Sequence, residues 1–117
     1  MPHIVLHGPV DLERFFSEYE PTVRQQPGEV LKLLNIFMGR DRQTLLIEAL
    51  AAGVGPPIRF LVLVTAHASR TTVRIYPGTD PEKTPGVKKL LALVAADLKN
   101  RSPGCTYGTT NLADLLL

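Results

Sequence analysis

Pro2 is the residue of this sequence with the most direct route to chemistry. Removal of Met1 would leave a proline whose nitrogen is a free secondary amine. An α-amino group has a pKa of about 8, and desolvation or a nearby guanidinium disfavours its protonated form. A buried N-terminal proline would then be a neutral base near pH 7, as general-base catalysis requires. Proline is also a common second residue in chains that do no chemistry.

Arginines dominate the charged residues in the middle of the chain. Residues 32–76 contain two acids, Asp41 and Glu48, against Lys32, Arg40, Arg42, Arg59, Arg70 and Arg74. A guanidinium offers a planar fork that suits a carboxylate or a phosphate, so a small anionic ligand is expected. For any single arginine, a solvated charge beside a strand is the simpler interpretation.

The remaining reactive residue types do not form a recognisable site. His3 and His7 lie four residues apart, which is about 13 Å on a strand and too far for one metal ion. Cys105 is the one cysteine, so no internal disulfide forms, and an inert thiol is expected. A metal site is therefore not expected. The sequence also has no phosphate loop, nucleophile elbow or zinc motif, so neither nucleotide hydrolysis nor serine hydrolysis is expected.

Length and composition predict one globular domain. The chain has 117 residues, of which 44% are hydrophobic and 21% charged, values typical of a soluble domain. No apolar stretch approaches the length of a membrane span, and a cytoplasmic protein is expected. Nucleic acid is not expected as a partner, because four phenylalanines and three tyrosines without tryptophan provide few stacking surfaces.

The hydrophobic pattern predicts strands and two helices. Asp11 is a candidate N-cap for the first helix, and Thr84 followed by Pro85 begins the second. Residues 30–38 could form a strand or a short helix. The predicted strands cover residues 2–7, 44–50, 60–66 and 72–76. The continuous apolar run 60–66 indicates a central strand buried on both faces.

The resulting fold class is α+β, a sheet with two helices on one face and its other face uncovered. An uncovered face and an apolar central strand make an oligomer the expected state. Residues 1–117 form a single domain, in which 101–117 is a tail. Because a terminal run of leucines at 115–117 is unfavourable when exposed, this tail is expected to dock on its own or a neighbouring subunit.

Four features of the sequence point to a known family. They are the start Met1-Pro2-His3-Ile4-Val5, the proline of Glu20-Pro21-Thr22 inside the first helical region, Arg40 and Arg42 before a strand, and the helix led by Thr84-Pro85. In these features the chain resembles the tautomerase superfamily, in particular its 5-carboxymethyl-2-hydroxymuconate isomerase-like branch. The resemblance covers about residues 1–100, although residues 53–83 depart from the family pattern.

This resemblance implies a β-α-β tautomerase-like sheet assembled as a homotrimer, and an isomerase that needs no cofactor. Pro2 would be the general base that moves a proton between carbon and oxygen of a small carboxylated keto or enol acid. Arg40 or Arg42 would bind the substrate carboxylate and stabilise developing negative charge. The alternative is a non-catalytic oligomerising or small-ligand-binding domain of the same fold, since fold does not determine function.

Overall fold

The structure, a computed structural model, describes residues 2–116. This part of the chain contains seven strands, two α-helices and a short 3-10 helix. In chain order they are β1 (His3–His7), α1 (Leu12–Glu18), β2 (Thr22–Gln26), β3 (Glu29–Met38), β4 (Thr44–Ala52), β5 (Ile58–His67), β6 (Arg70–Ile75), α2 (Pro85–Asn100), β7 (Thr106–Thr110) and the 3-10 helix Ala113–Leu115. The stretch 30–38, which the sequence left open, is a strand.

Both helices begin where their caps predict. The side chain of Asp11 accepts a hydrogen bond from the Arg14 N–H at 3.1 Å, and the Thr84 hydroxyl accepts one from the Val87 N–H at 3.3 Å. Each cap satisfies an N–H group that has no partner inside its helix. The prediction that Pro21 lies inside the first helical region is wrong, because α1 ends at Glu18 and Pro21 immediately precedes β2.

The seven strands form one sheet in the order β2-β3-β4-β5-β6-β1-β7. All neighbouring strands are antiparallel, and β5 is central, as the apolar run predicts. The expected β-α-β tautomerase-like sheet is therefore wrong. Short turns join β2 through β6 in succession, and such turns link only antiparallel strands, whereas a parallel pair needs a crossover of a dozen or more residues.

The sheet is a half-barrel that curves around α2, which contacts β1, β3, β4 and β6. This geometry corrects the prediction of a sheet with two helices laid on one face. The helix fills the concave side because apolar residues cover much of its circumference. Its fully buried side chains include Val87, Leu90, Leu91 and Leu98. Within residues 2–116, neither helix has the length and apolar character needed to cross a membrane.

The inner and outer faces of the sheet differ in burial. Along β4, Leu45, Ile47 and Ala49 point inward and are buried, and the residues between them are half-buried on the outer face. The central strand also has one partly exposed face, because Leu61 and Thr65 of β5 are half-buried. Leu63, between them on the same face, is buried, so the prediction that β5 is buried on both faces holds only in part. The helices fill the inner side only, so the outer face keeps contact with solvent.

The C-terminal segment crosses the open side of the half-barrel. Strand β7 pairs with β1 at one edge of the sheet, and Leu112 then enters the core. Leu115 and Leu116 pack partly buried against the core and line a cleft together with Arg24 of β2, the opposite edge strand. The segment thus links the two edges across α2. Residue 117 of the predicted leucine tail lies outside the described residues.

Candidate ligand-binding groove

Pro2 is buried immediately before β1. The following residue, His3, donates its N–H to Oδ1 of Asn111 at 2.9 Å, which ties the start of β1 to the chain after β7. Pro2 does not line any of five clefts that lie among residues 2–116, which include those described below. Its action as a base stays a prediction.

Arg40 and Arg42 are exposed in the turn between β3 and β4. Arg42 has a positive φ of 59°, and its guanidinium lies 3.6 Å from the carboxylate of Glu13. From the strand register, Pro2 lies three strands away, about 14 Å, and five residues further along the strand direction, about 17 Å. Within one chain the structure does not bring Pro2 together with these arginines.

Two clefts lie side by side between α2 and the hairpin of β2 and β3, and together we call them the helix groove. One has a volume of about 260 Å³ and the other about 340 Å³. Arg24 and Leu93 line both of them. The groove follows α2 from Lys89 to Asn100, a distance of about 17 Å at the helical rise. It is therefore long enough for an extended small molecule.

The floor of the helix groove is apolar. Leu31 and Leu33 come from β3, and Ala92 and Ala96 come from α2. Small residues on the helix leave the space that larger side chains would fill, which keeps the groove open. No histidine, serine or cysteine is among its lining residues; Thr22 and the carboxylates of Glu20, Asp97 and Asp114 lie around the apolar floor.

Ion pairs neutralise the cations at both ends of the helix groove. Lys89 lies 3.0 Å from the Glu29 carboxylate at one end. At the other end, Arg101 lies 2.8 Å from Asp97 and 3.3 Å from Glu18. The hydrogen bond and charge of Asp97 raise the pKa of Arg101 above its ordinary value. Asp114 at the first end and Glu20 at the second also line the groove, and within residues 2–116 neither carboxylate lies within ion-pair distance of a cation.

Arg24 is the cation that the chain leaves unpaired in the helix groove. It projects from β2, an edge strand whose five residues are all exposed. Within residues 2–116, no carboxylate lies within ion-pair distance of its guanidinium. Because Arg24 lines both clefts, its guanidinium is available to an anion that lies anywhere along the apolar floor.

A further cleft, beside α1, is less suited to an anionic ligand. It has a volume of about 350 Å³ and includes Arg14 and Arg101. Both arginines are already paired with Glu18, at 3.2 Å and 3.3 Å. A bound anion would have to displace this carboxylate, so the cleft carries no free positive charge.

Two buried or half-buried groups near these clefts keep their protons at neutral pH. Burial, with the charges of Asp97 and Glu48, raises the pKa of Tyr19 to about 12, and its hydroxyl donates to the Leu34 carbonyl at 2.8 Å. Burial also raises the pKa of the Cys105 thiol, against a smaller opposing effect of Lys99. Among residues 2–116, no three His, Cys, Asp or Glu side chains are grouped to hold a metal ion.

Arg24 was not among the predicted site residues, because β2 was not recognised as a strand. A signal was present in Pro27-Gly28, which joins the short runs 22–26 and 29–38. Gly28 has a φ of +78°, and a proline followed by such a glycine forms a type II turn. This turn places β2 against β3 and therefore places Arg24 beside α2.

The helix groove thus combines an apolar floor, paired cations and an unpaired carboxylate at each end, and the unpaired guanidinium of Arg24. An apolar surface with a few placed polar groups is the usual composition of a small-molecule site. Comparison of the chain with known protein families, curated proteins and solved structures found no match.

Proposed function

We propose that this protein is a binding domain for a small amphipathic carboxylate, held in the helix groove and left chemically unchanged. The observation that supports it is the unpaired guanidinium of Arg24 above an apolar floor. The apolar body of the ligand would lie on Leu31, Leu33 and Ala96, where it loses contact with water. Its carboxylate would accept hydrogen bonds from Arg24.

The ligand needs a way into the groove, and β2 provides a wall that separates at low cost. This strand is at the edge of the sheet and has only β3 as a neighbour. Val23 of β2 keeps 59% of its surface exposed, so displacing the strand breaks few apolar contacts. Segments with few buried contacts open at the low end of the stability range.

The test compares two ligands that differ in their head group. Octanoate and 1-octanol have the same apolar chain length, but only octanoate carries a charge. We expect Arg24→Gln to weaken octanoate binding by about 10- to 100-fold, which corresponds to loss of a hydrogen bond to a charged group. The affinity for 1-octanol should stay within about threefold. Isothermal titration calorimetry measures both affinities.

Arg70→Gln is the matched control for this experiment. Arg70 is an exposed arginine at the start of β6 and lies outside the helix groove. Its replacement removes the same charge and should leave both affinities unchanged. The proposal is wrong if wild-type protein binds neither ligand, or if the two arginine variants lose octanoate affinity equally.

Proton transfer by Pro2 remains the competing hypothesis. The observation that favours it is the burial of Pro2. Burial disfavours a charged amine and would lower its pKa. The decisive measurement is phenylenolpyruvate ketonisation by protein lacking Met1, beside its Pro2→Ala variant. Turnover that this variant abolishes would establish a proline-based tautomerase. Equal rates in both proteins, or no turnover in either, would contradict proton transfer by Pro2 on this substrate.

A further inference from the structure

The outer face of the sheet carries a row of large apolar side chains. Phe37, Leu46 and Leu63 are cross-strand neighbours on β3, β4 and β5, and Leu61 lies one row away. Phe37 is 51% exposed, and Leu46 and Leu61 are half-buried. We call the outer surface of β3, β4, β5 and β6 around these four side chains the outer patch. Leu63 is buried, with 8% of its surface exposed, so the apolar area that faces solvent comes mainly from Phe37, with smaller parts of Leu46 and Leu61.

The outer patch also carries opposite charges that are not paired with each other. The Glu48 carboxylate accepts a hydrogen bond from the Asn35 side chain at 2.6 Å. Arg59 and Arg74 are exposed on the same face, and no carboxylate within residues 2–116 lies within ion-pair distance of either. Glu48 and Arg59 line one shallow depression of about 190 Å³ together with Leu61.

The charges restrict what can cover the outer patch. An acidic partner would satisfy Arg59 and Arg74 but would place a like charge against Glu48. A basic partner would satisfy Glu48 and would repel both arginines. A second copy of this surface offers Glu48 to Arg59 and Arg59 to Glu48, which is the reciprocal pairing that a two-fold interface needs, and Arg74 of each copy stays outside these pairs.

We propose that the outer patch is a homodimer interface in which two copies pack face to face about a two-fold axis. Leu61 of each copy would lie beside the two-fold axis, and Leu46 and Phe37 would pack farther from it. Glu48 of each copy would pair with Arg59 of the other. This inference goes beyond the proposed ligand binding, because the helix groove lies on the opposite side of the sheet and would stay open in the dimer.

Sedimentation velocity over about 5 to 500 µM tests the interface. We expect the mass to rise with concentration from the monomer value of 12.8 kDa toward twice that value. Arg59→Glu alters an exposed side chain and should weaken the dimer at least about tenfold, because it places two acids opposite each other. Glu48→Arg should weaken it similarly through opposed cations.

The double variant Glu48→Arg with Arg59→Glu should restore association to within about threefold of wild type, since each new arginine then faces a new glutamate. Glu82→Arg is the control, because Glu82 is exposed outside the outer patch and its reversal should not change the mass. Circular dichroism verifies that each variant is folded. A monomer at every concentration, a trimer, or a double variant no stronger than the single ones would overturn the proposal.

Discussion

Replacing Leu90 by alanine should lower the free energy of unfolding by about 2–5 kcal/mol, the usual cost of this truncation in a packed core. Leu90 is fully buried near the middle of α2, where the helix lies against the concave face of the sheet. The change removes apolar contacts and leaves a cavity that a helix held by four strands cannot close. Urea denaturation followed by circular dichroism gives the free energy directly.

Leu93→Ala is the matched control for Leu90→Ala. Leu93 lies on the same helix but is only half-buried and lines the helix groove. Alanine is the best helix former, so neither change weakens the helix through its intrinsic propensity. We expect Leu93→Ala to cost less than half as much as Leu90→Ala. Equal losses would show that α2 is not packed as described.

Gly8→Ala should lower the free energy of unfolding by about 3 kcal/mol, from two separate causes. Gly8 has a φ of +118°, a conformation that L residues with a side chain rarely adopt. A β-carbon at this position would also lie 2.9 Å from the Gly104 carbonyl oxygen and 3.0 Å from the Cys105 α-carbon. Both atoms belong to the backbone, so they cannot move away as a side chain would.

Gly55→Ala separates these two causes. Gly55 also has a positive φ, +93°, but a β-carbon there would meet nothing within 4 Å. This variant should therefore lose only the free energy of the backbone conformation, about 1–2 kcal/mol. Thermal or urea unfolding of both variants measures the difference. If Gly8→Ala is no less stable than Gly55→Ala, the close approach of residues 8 and 104 is wrong.

Local signals in the sequence were sufficient to predict where the helices begin and which strand lies at the centre of the sheet. Asp11 and Thr84 mark helix starts by accepting bonds from residues three positions away, and Pro85 does so through its fixed φ. All three signals are local, so they can be interpreted without the rest of the fold. The apolar run of β5 likewise identified the central strand. The two edge strands were missed, because β2 and β7 are short and mostly polar and lack the alternation that marks a half-buried strand.

The direction of the strands and the position of the site could not be predicted from short patterns. The pairing of β1 with β6 and β7 joins residues at opposite ends of the chain, and nothing near His3 indicates it. The tautomerase interpretation rested on Pro2, Arg40 and Arg42, which the chain does not bring together. Arg24 lines the helix groove because β2 lies beside α2, and the position of β2 relative to α2 depends on tertiary packing.

The place of β1 in the sheet has a consequence for the order in which the protein folds. The hairpins from β2 to β6 join neighbours in sequence and can form from local contacts, whereas β1 lies between β6 and β7, strands about 70 and 100 residues later. Contacts at such separation carry a large loop-closure cost and form slowly. During synthesis, β1 therefore has no neighbouring strand until β6 has been made, and the sheet is completed only when residues 106–110 have been made.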